Sequence, residues 1–176
     1  LRVYEMAADG SACAPIAPIG AHAASENGLP IHDFDPAYSP PLPGGGTALV
    51  FASTRGNLDP GPYDYRGPQR TPADPSRPNA NLYVFEPDPA NAAARRIRQL
   101  TFLLNTERAP SFMGDGRVVF TVEKRMPGFS QIGLRRINLD GGDYHPLYGQ
   151  RGSVGHREVS QVVHLADHDF AAIFAD

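Results

Sequence analysis

Two short stretches bring together side chains that could bind a metal ion. "HDFD" (32–35) holds one histidine and two aspartates, and "HLADHD" (164–169) holds two of each. Imidazole and carboxylate groups suit zinc or iron, and carboxylates with backbone carbonyls suit calcium. Neither stretch has a zinc spacing such as His-Glu-x-x-His, and both residue types are common in turns. The sequence therefore predicts no metal site at either place.

The serine and glycine motifs do not indicate catalysis. "RGSVG" (151–155) lacks the first glycine of the Gly-x-Ser-x-Gly nucleophile motif, and "GFSQIG" (128–133) has the wrong spacing. "PGGGT" (43–47) is not followed by the lysine of a phosphate-binding loop, and no Cys-x-x-Cys-His motif could attach haem. We therefore predict no catalytic residue and no cofactor in this chain.

Composition narrows the structural class and the partners. A formal net charge of −3 over 176 residues gives no basic surface for nucleic acid. No apolar run approaches the ~20 residues that span a bilayer. The 18 glycines and 18 prolines favour many short strands and turns over long helices. The composition thus indicates a β-rich globular chain without a membrane span.

One template occurs three times and predicts a strand that ends in a tight turn. "VYEMAADG" (3–10), "LYVFEPDP" (82–89) and "LRRINLDG" (134–141) each start with an apolar residue and reach an aspartate six positions later. Glycine or proline follows that aspartate, as in a turn. A further short apolar segment after each turn predicts a second strand.

A second template alternates with the first. "DPAYSPPLPGGGTALVFAST" (35–54) and "APSFMGDGRVVFTVEK" (109–124) share Pro-x-aromatic, a glycine turn and an apolar run, and "EVSQVVHLADHDFAAIFAD" (158–176) is a looser copy. The aspartate of each first-template copy alternates along the chain with the phenylalanine near the end of each second-template copy. The order is Asp9, Phe51, Asp88, Phe120, Asp140 and Phe174. Four short strands repeating every ~40–50 residues indicate β-propeller blades. A β-sandwich of irregular hairpins is the alternative.

The best-defined unit resembles a known repeat family. "APSFMGDGRVVFT" followed by "IGLRRINLDGG", with "IRQLT" before it, is similar to the TolB-type (WD-like) β-propeller repeat. The resemblance is best over 95–142, and it departs from the family at Met113-Gly114, where Ser-Pro is usual, and after Asp140, where Leu-Thr is missing. It implies an all-β fold: a propeller segment of about three to four four-stranded blades in an incomplete ring.

The units divide the chain into parts of a single propeller domain, at about 1–34, 35–102, 106–149 and 158–176. We expect a segment of a longer protein, because the chain opens on "LRVYEM" and stops on "AAIFAD". For 89–100, the one stretch of helix-forming composition, we expect a helical turn or a loop. The predicted core consists of strand residues: Val3, Leu49, Phe51, Leu82, Val84, Phe112, Val118, Phe120, Leu134 and Ile173.

Long connections predict a binding face. Residues 55–78 form a Pro-rich insertion, either a binding loop or a solvated linker. In a four-stranded blade this loop shares a face with the loops that lead into the next blade, and its mixed charge suits a polar ligand or a protein partner. The predicted binding residues are His32, Asp33, Asp35, Tyr63, Tyr65, Arg66, Glu107, Arg108, Arg151, His156, Arg157 and Glu158.

These expectations favour a non-catalytic scaffold that binds a protein or polar ligand, or that gates a neighbouring domain. The TolB-type resemblance implies a bacterial periplasmic or cell-surface location. The alternative is the propeller domain of a larger enzyme, a prolyl-oligopeptidase-like hydrolase or a multihaem redox enzyme, whose catalytic residues lie outside this chain. Gly-x-Ser-x-Gly or Cys-x-x-Cys-His in flanking sequence would separate the two classes.

Overall fold

The chain folds into short antiparallel strands with one helical turn. The computed structural model describes residues 1–57, 65–66, 69–70, 78–103, 106–126, 129–148, 156, 158–166 and 169–176. The predicted all-β class is confirmed. The helix α1 (Ala17–Gly20) has four residues, so no helix in these ranges has the length and hydropathy to cross a bilayer.

Two small hairpins precede the first sheet, and a third lies in the insertion. They pair β1 with β2, β3 with β4, and β7 with β8. Their bounds are β1 (Tyr4–Glu5), β2 (Ala14–Pro15), β3 (Ser25–Glu26), β4 (Leu29–Pro30), β7 (Tyr65–Arg66) and β8 (Gln69–Arg70).

The first sheet has four antiparallel strands in the order β10-β9-β6-β5. Its strands are β5 (Asp33–Tyr38), β6 (Leu49–Ser53), β9 (Asn81–Asp88) and β10 (Asn91–Gln99). All five residues of β6 are buried, because this strand is covered on both faces of the sheet. That double coverage explains why the strand is a continuous apolar run and does not alternate with polar residues.

The second sheet has six strands. It consists of β11 (Glu107–Phe112), β12 (Val118–Met126), β13 (Phe129–Ile137), β14 (His145–Tyr148), β15 (Glu158–His164) and β16 (Phe170–Ala175). The order is β11-β12-β13-β15-β16, with β14 also paired to β13. The contact of β13 with β15 is parallel and consists of the pair Ile132–Glu158, whereas the other pairings are antiparallel.

Matching backbone hydrogen bonds relate the start of the chain to the first sheet. The Leu100 N–H donates to the Leu82 carbonyl at 2.8 Å, and the Ile16 N–H donates in the same way to Val3 at 3.1 Å. The hairpin β1–β2 therefore repeats the geometry of β9–β10. A second pair of bonds matches in the same way. The backbone N–H of Asp33 donates to the Leu1 carbonyl at 3.2 Å, and the backbone N–H of Glu107 donates to the Ala80 carbonyl at 2.8 Å.

The main core lies between the two sheets. Ala48, Val50, Ala52, Leu82 and Val84 from the first sheet region pack against residues of the second sheet. The second-sheet members of this cluster are Val118, Phe120, Val122 and Ile137. Burial of such side chains contributes about 1.5–3 kcal/mol each, so this cluster is the main source of cohesion between the sheets.

Three expectations are corrected. Residues 91–99 of the segment 89–100 are strand β10, because they pair along β9. Ile173 is 53% exposed and not a core residue, since β16 is the last strand of its sheet and pairs only with β15. Phe112 is half-buried, at the edge of the main core.

Candidate binding cleft

Three strands carry the same irregularity. The register of β5, β11 and β15 shifts by a β-bulge next to Asp35, Ala109 and Gln161. These residues have left-handed φ values of 50°, 49° and 50°. A bulge bends its strand, re-aims side chains and is over-represented next to functional sites. We call β5, β11 and β15 the bulged strands.

The bulged strands line a cleft of about 620 Å³. This volume lies within the ~300–1,000 Å³ range of small-molecule sites. The cleft is lined by Asp35, Pro36, Arg108, Ala109, Pro110, Ser111, Thr121, Glu158, Ser160, Gln161, Val162 and Val163. Apart from Thr121 on β12, every lining residue belongs to a bulged strand.

Charged and polar groups of different strands meet in the cleft. A guanidinium nitrogen of Arg108 lies 3.4 Å from the Glu158 carboxylate. The Ala109 N–H donates to Asp35 Oδ2 at 2.9 Å, and the Gln161 N–H donates to Thr121 Oγ1 at 3.2 Å. Two carboxylates, one guanidinium, hydroxyls and an amide can hold a small polar molecule by hydrogen bonds and charge. Among the described residues, the lining contains no histidine, cysteine or lysine that could activate a nucleophile.

Three of the predicted binding residues therefore come together. Asp35, Arg108 and Glu158 lie in the cleft, although the sequence predicts them on a face formed by loops. Strand geometry brings them there: Glu158 is the first residue of β15 and Arg108 the second of β11. Whether the predicted set forms one binding face stays a prediction.

Asp33 is placed inside the protein. Its side chain is fully buried at the start of β5, where Oδ1 accepts hydrogen bonds from Ser53 at 2.7 Å and Arg55 at 2.6 Å. Oδ2 lies 2.7 Å from Nε2 of His22. Burial by itself would raise the pKa of Asp33, but the hydrogen bonds from His22, Ser53 and Arg55 outweigh it and lower the pKa. This carboxylate joins chain segments and does not face the cleft.

Glu107 occupies the equivalent position in β11 and is also fully buried. Its carboxyl accepts hydrogen bonds from the Thr101 hydroxyl and from Asn81 Nδ2, the latter at 3.1 Å. Tyr144 Oη lies 3.2 Å from its other oxygen. Burial raises the pKa of Glu107 to about 7. The two acids thus differ: Asp33 has a cationic hydrogen-bond partner, whereas the described partners of Glu107 are neutral.

Of the remaining predicted residues, His32 and His156 are described with their side chains, and neither lines the cleft. His32 is half-buried beside β5, and its backbone N–H donates to Thr54 Oγ1 at 2.9 Å. His156 Nδ1 lies 3.0 Å from the Asp176 carboxylate, and its ring packs against Phe174. Tyr65 and Arg66 are described only as the backbone of β7. Tyr63, Arg151 and Arg157 lie outside the described residues.

Four polar lining residues were not predicted from the sequence. Ser111, Thr121, Ser160 and Gln161 reach the cleft from strands, whereas the sequence predicts binding residues on connections. A signal was present, because Ser111 lies inside the Pro-x-aromatic element of the second template. The three copies of the second template overlap β5, β11 and β15, the three strands that supply most of the lining.

Comparisons with known proteins support the fold. No family model matches this chain, and no curated protein matches its sequence. Among solved structures, hydrazine synthase from Kuenenia stuttgartiensis is similar, with a TM-score of 0.58 at 17% sequence identity. The match covers 99% of this chain and 26% of that chain. The likeness supports a β-propeller-like fold and extends to the fold alone, so the TolB-type assignment stays a prediction.

Proposed function

We propose that this chain is a non-catalytic, β-propeller-like scaffold that binds a small polar ligand in the cleft between the bulged strands. The observation that carries the proposal is the convergence of Asp35, Arg108 and Glu158 from three strands on one cleft. A guanidinium beside carboxylates and hydroxyls recognises oxygen- and nitrogen-rich molecules better than apolar ones. Strands also hold such groups more rigidly than loops do.

A thermal-shift screen with sugars, amino acids, dicarboxylates and polyamines tests the proposal. We expect at least one class to raise the melting temperature of the wild type, and the shift to disappear in Arg108→Gln. The matched control is Arg96→Gln, because Arg96 is 42% exposed and paired with a glutamate, while Arg108 is 43% exposed and likewise paired. A shift that survives in Arg108→Gln places the ligand elsewhere, and the absence of any shift contradicts the proposal.

A second candidate is a β-propeller-like part of a larger enzyme. The structural match favours it, because hydrazine synthase is by name an enzyme and this chain corresponds to 26% of its length. A haem-attachment or serine-nucleophile motif in flanking sequence, together with the haem absorbance of the full-length protein, would support this candidate. If neither is found, the proposal of a non-catalytic scaffold is favoured over this candidate.

The proposed periplasmic or cell-surface location rests on the TolB-type resemblance. Fractionation of bacterial cells that express the full-length protein tests it. Recovery in the periplasmic or surface fraction supports the location, and recovery in the cytosol contradicts it.

A further inference from the structure

Glu107 lies at the junction of the two sheets. Asn81 is the first residue of β9 and Thr101 follows β10, so both belong to the first sheet region. Tyr144 lies between β13 and β14 in the second sheet, and Glu107 itself begins β11. One carboxyl group therefore bridges both sheets through three side chains.

The hydrogen-bond donors that reach Glu107 are all neutral groups. The Thr101 hydroxyl accepts the Leu82 N–H at 2.9 Å, so its own hydrogen is available for Glu107 Oε2. Asn81 donates to the same oxygen. The Tyr144 hydroxyl donates to Oε1 over 3.2 Å. Both carboxyl oxygens therefore have a hydrogen-bond partner, and none of these partners brings a positive charge.

An ionised Glu107 would lack a direct cationic partner among the described residues. Arg135 on β13 acts on the carboxyl only through its charge, which lowers the pKa of Glu107, and its guanidinium lies over the Tyr144 ring at 4.9 Å. The Asn81 and Thr101 side chains that contact the carboxyl are neutral. An unpaired charge in a fully buried position is costly, whereas Asp33 has Arg55 at 2.6 Å.

We propose that Glu107 is a protonation-controlled latch between the two sheets, closed when the carboxyl is neutral and loosened when it is ionised. The latch does not depend on the proposed ligand. It would nevertheless affect the cleft, because Arg108 and Ala109 follow Glu107 directly in β11. Ionisation would loosen the start of the strand that carries them.

Amide hydrogen exchange measured against pH tests the latch on the complete protein. The reporters are the N–H groups of Leu82, bonded to Thr101 Oγ1, and Glu107, bonded to the Ala80 carbonyl. After correction for intrinsic exchange, their protection should fall about tenfold between pH 6 and pH 8.5, as linkage requires for a carboxyl with a folded pKa near 7. Ser39 and Met113 N–H groups, in turns of β5 and β11, should change less.

Two variants separate the latch from a general effect of pH. Glu107→Gln preserves the acceptor toward Thr101 and Asn81 and offers an N–H to Tyr144, so protection should no longer depend on pH. Glu86→Gln is the control, because Glu86 bonds Arg96 and Arg98 and should leave the pH dependence unchanged. Protection in the wild type that is flat across this range, or the same pH dependence in Glu107→Gln, overturns the proposal.

A direct titration decides the case if Glu107→Gln does not fold. Carbon-13 NMR of the wild-type carboxyl should then give a midpoint near neutrality. A midpoint at the ordinary value for glutamate, about 4.3, overturns the latch.

Discussion

The Ala109 N–H donates a hydrogen bond to Asp35 Oδ2 over 2.9 Å, which links a bulge in the first sheet to a bulge in the second. Both residues have left-handed φ values, and each is followed by a proline. Because the bond joins β5 and β11 where both line the cleft, it fixes the separation of the two strands there. The shape of the cleft depends on this pair.

Removing the acceptor should destabilise the protein. Asp35→Ala leaves the Ala109 N–H without its partner and puts alanine at a left-handed φ, so we expect a loss of about 1–3 kcal/mol. Asp35→Asn retains an acceptor and tolerates that φ, so its loss should stay below about 1 kcal/mol. Urea denaturation measures both. Equal losses in the two variants would show that the hydrogen bond is unimportant.

Glycine at the bulge should have the opposite effect from glycine in a regular strand. Ala109 has a φ of 49°, which costs an L-residue about 1–2 kcal/mol, so Ala109→Gly should raise stability by up to about 1 kcal/mol. The control Ala52→Gly lies in the fully buried β6 and should lower stability by about 1 kcal/mol. The midpoints of denaturation should therefore shift in opposite directions in the two variants. A loss of stability in both would contradict the conclusion that the bulge at Ala109 is strained.

Two phenylalanines that match in the sequence template should differ in energy. Phe120 is fully buried and packs on Tyr144 with ring centroids 5.9 Å apart, so Phe120→Ala should cost about 3–5 kcal/mol. Phe174 is 47% exposed, and Phe174→Ala should cost less than about 1 kcal/mol. Chemical denaturation compares them. A cost under 1 kcal/mol for Phe120→Ala would mean that the register of β12 is wrong.

Removing the cation beside Asp33 should be costly and should change the acid response. Arg55→Met removes the guanidinium that hydrogen-bonds to the buried Asp33 carboxylate and leaves Arg2 at 3.9 Å from Oδ2, for an expected loss of about 3 kcal/mol at pH 7. Because the folded pKa of Asp33 is lowered, its stabilising contribution exists above the unfolded pKa and is lost as pH falls through the folded pKa.

The loss between pH 7 and pH 3 should therefore be smaller in Arg55→Met than in the wild type. The control Arg96→Met breaks a more exposed pair with Glu86 and should cost about 1 kcal/mol or less. If Arg55→Met and Arg96→Met have the same free energy of unfolding, the ion pair between Arg55 and Asp33 does not stabilise the protein more than an exposed pair does.

The strands could be predicted from the sequence, but their irregularities could not. The strands of both sheets could be recognised from turn residues and apolar runs, because these are local features of the sequence. The pairing of β16 is not a local signal: Phe174 lies opposite Val159, the equivalent of Glu107, whose own partner is Val122. Ala172, and not Phe174, thus takes the place of Phe120.

The roles of the acidic residues also depended on distant partners. Asp33 and Glu107 resemble exposed loop acids in the sequence, yet each is buried by donors that lie far along the chain or in another sheet. Arg55 lies 22 positions from Asp33, and Tyr144 lies 37 positions from Glu107. The identity of such partners follows from the packing of the sheets, which local patterns do not encode.

The cleft's role as a binding site is tested most directly by crystallography of the full-length protein soaked with a set of small polar fragments. We expect fragment density between β5, β11 and β15, in contact with Arg108 and with Asp35 or Glu158. Fragments that cluster elsewhere, with the cleft holding only solvent, would contradict the proposed function.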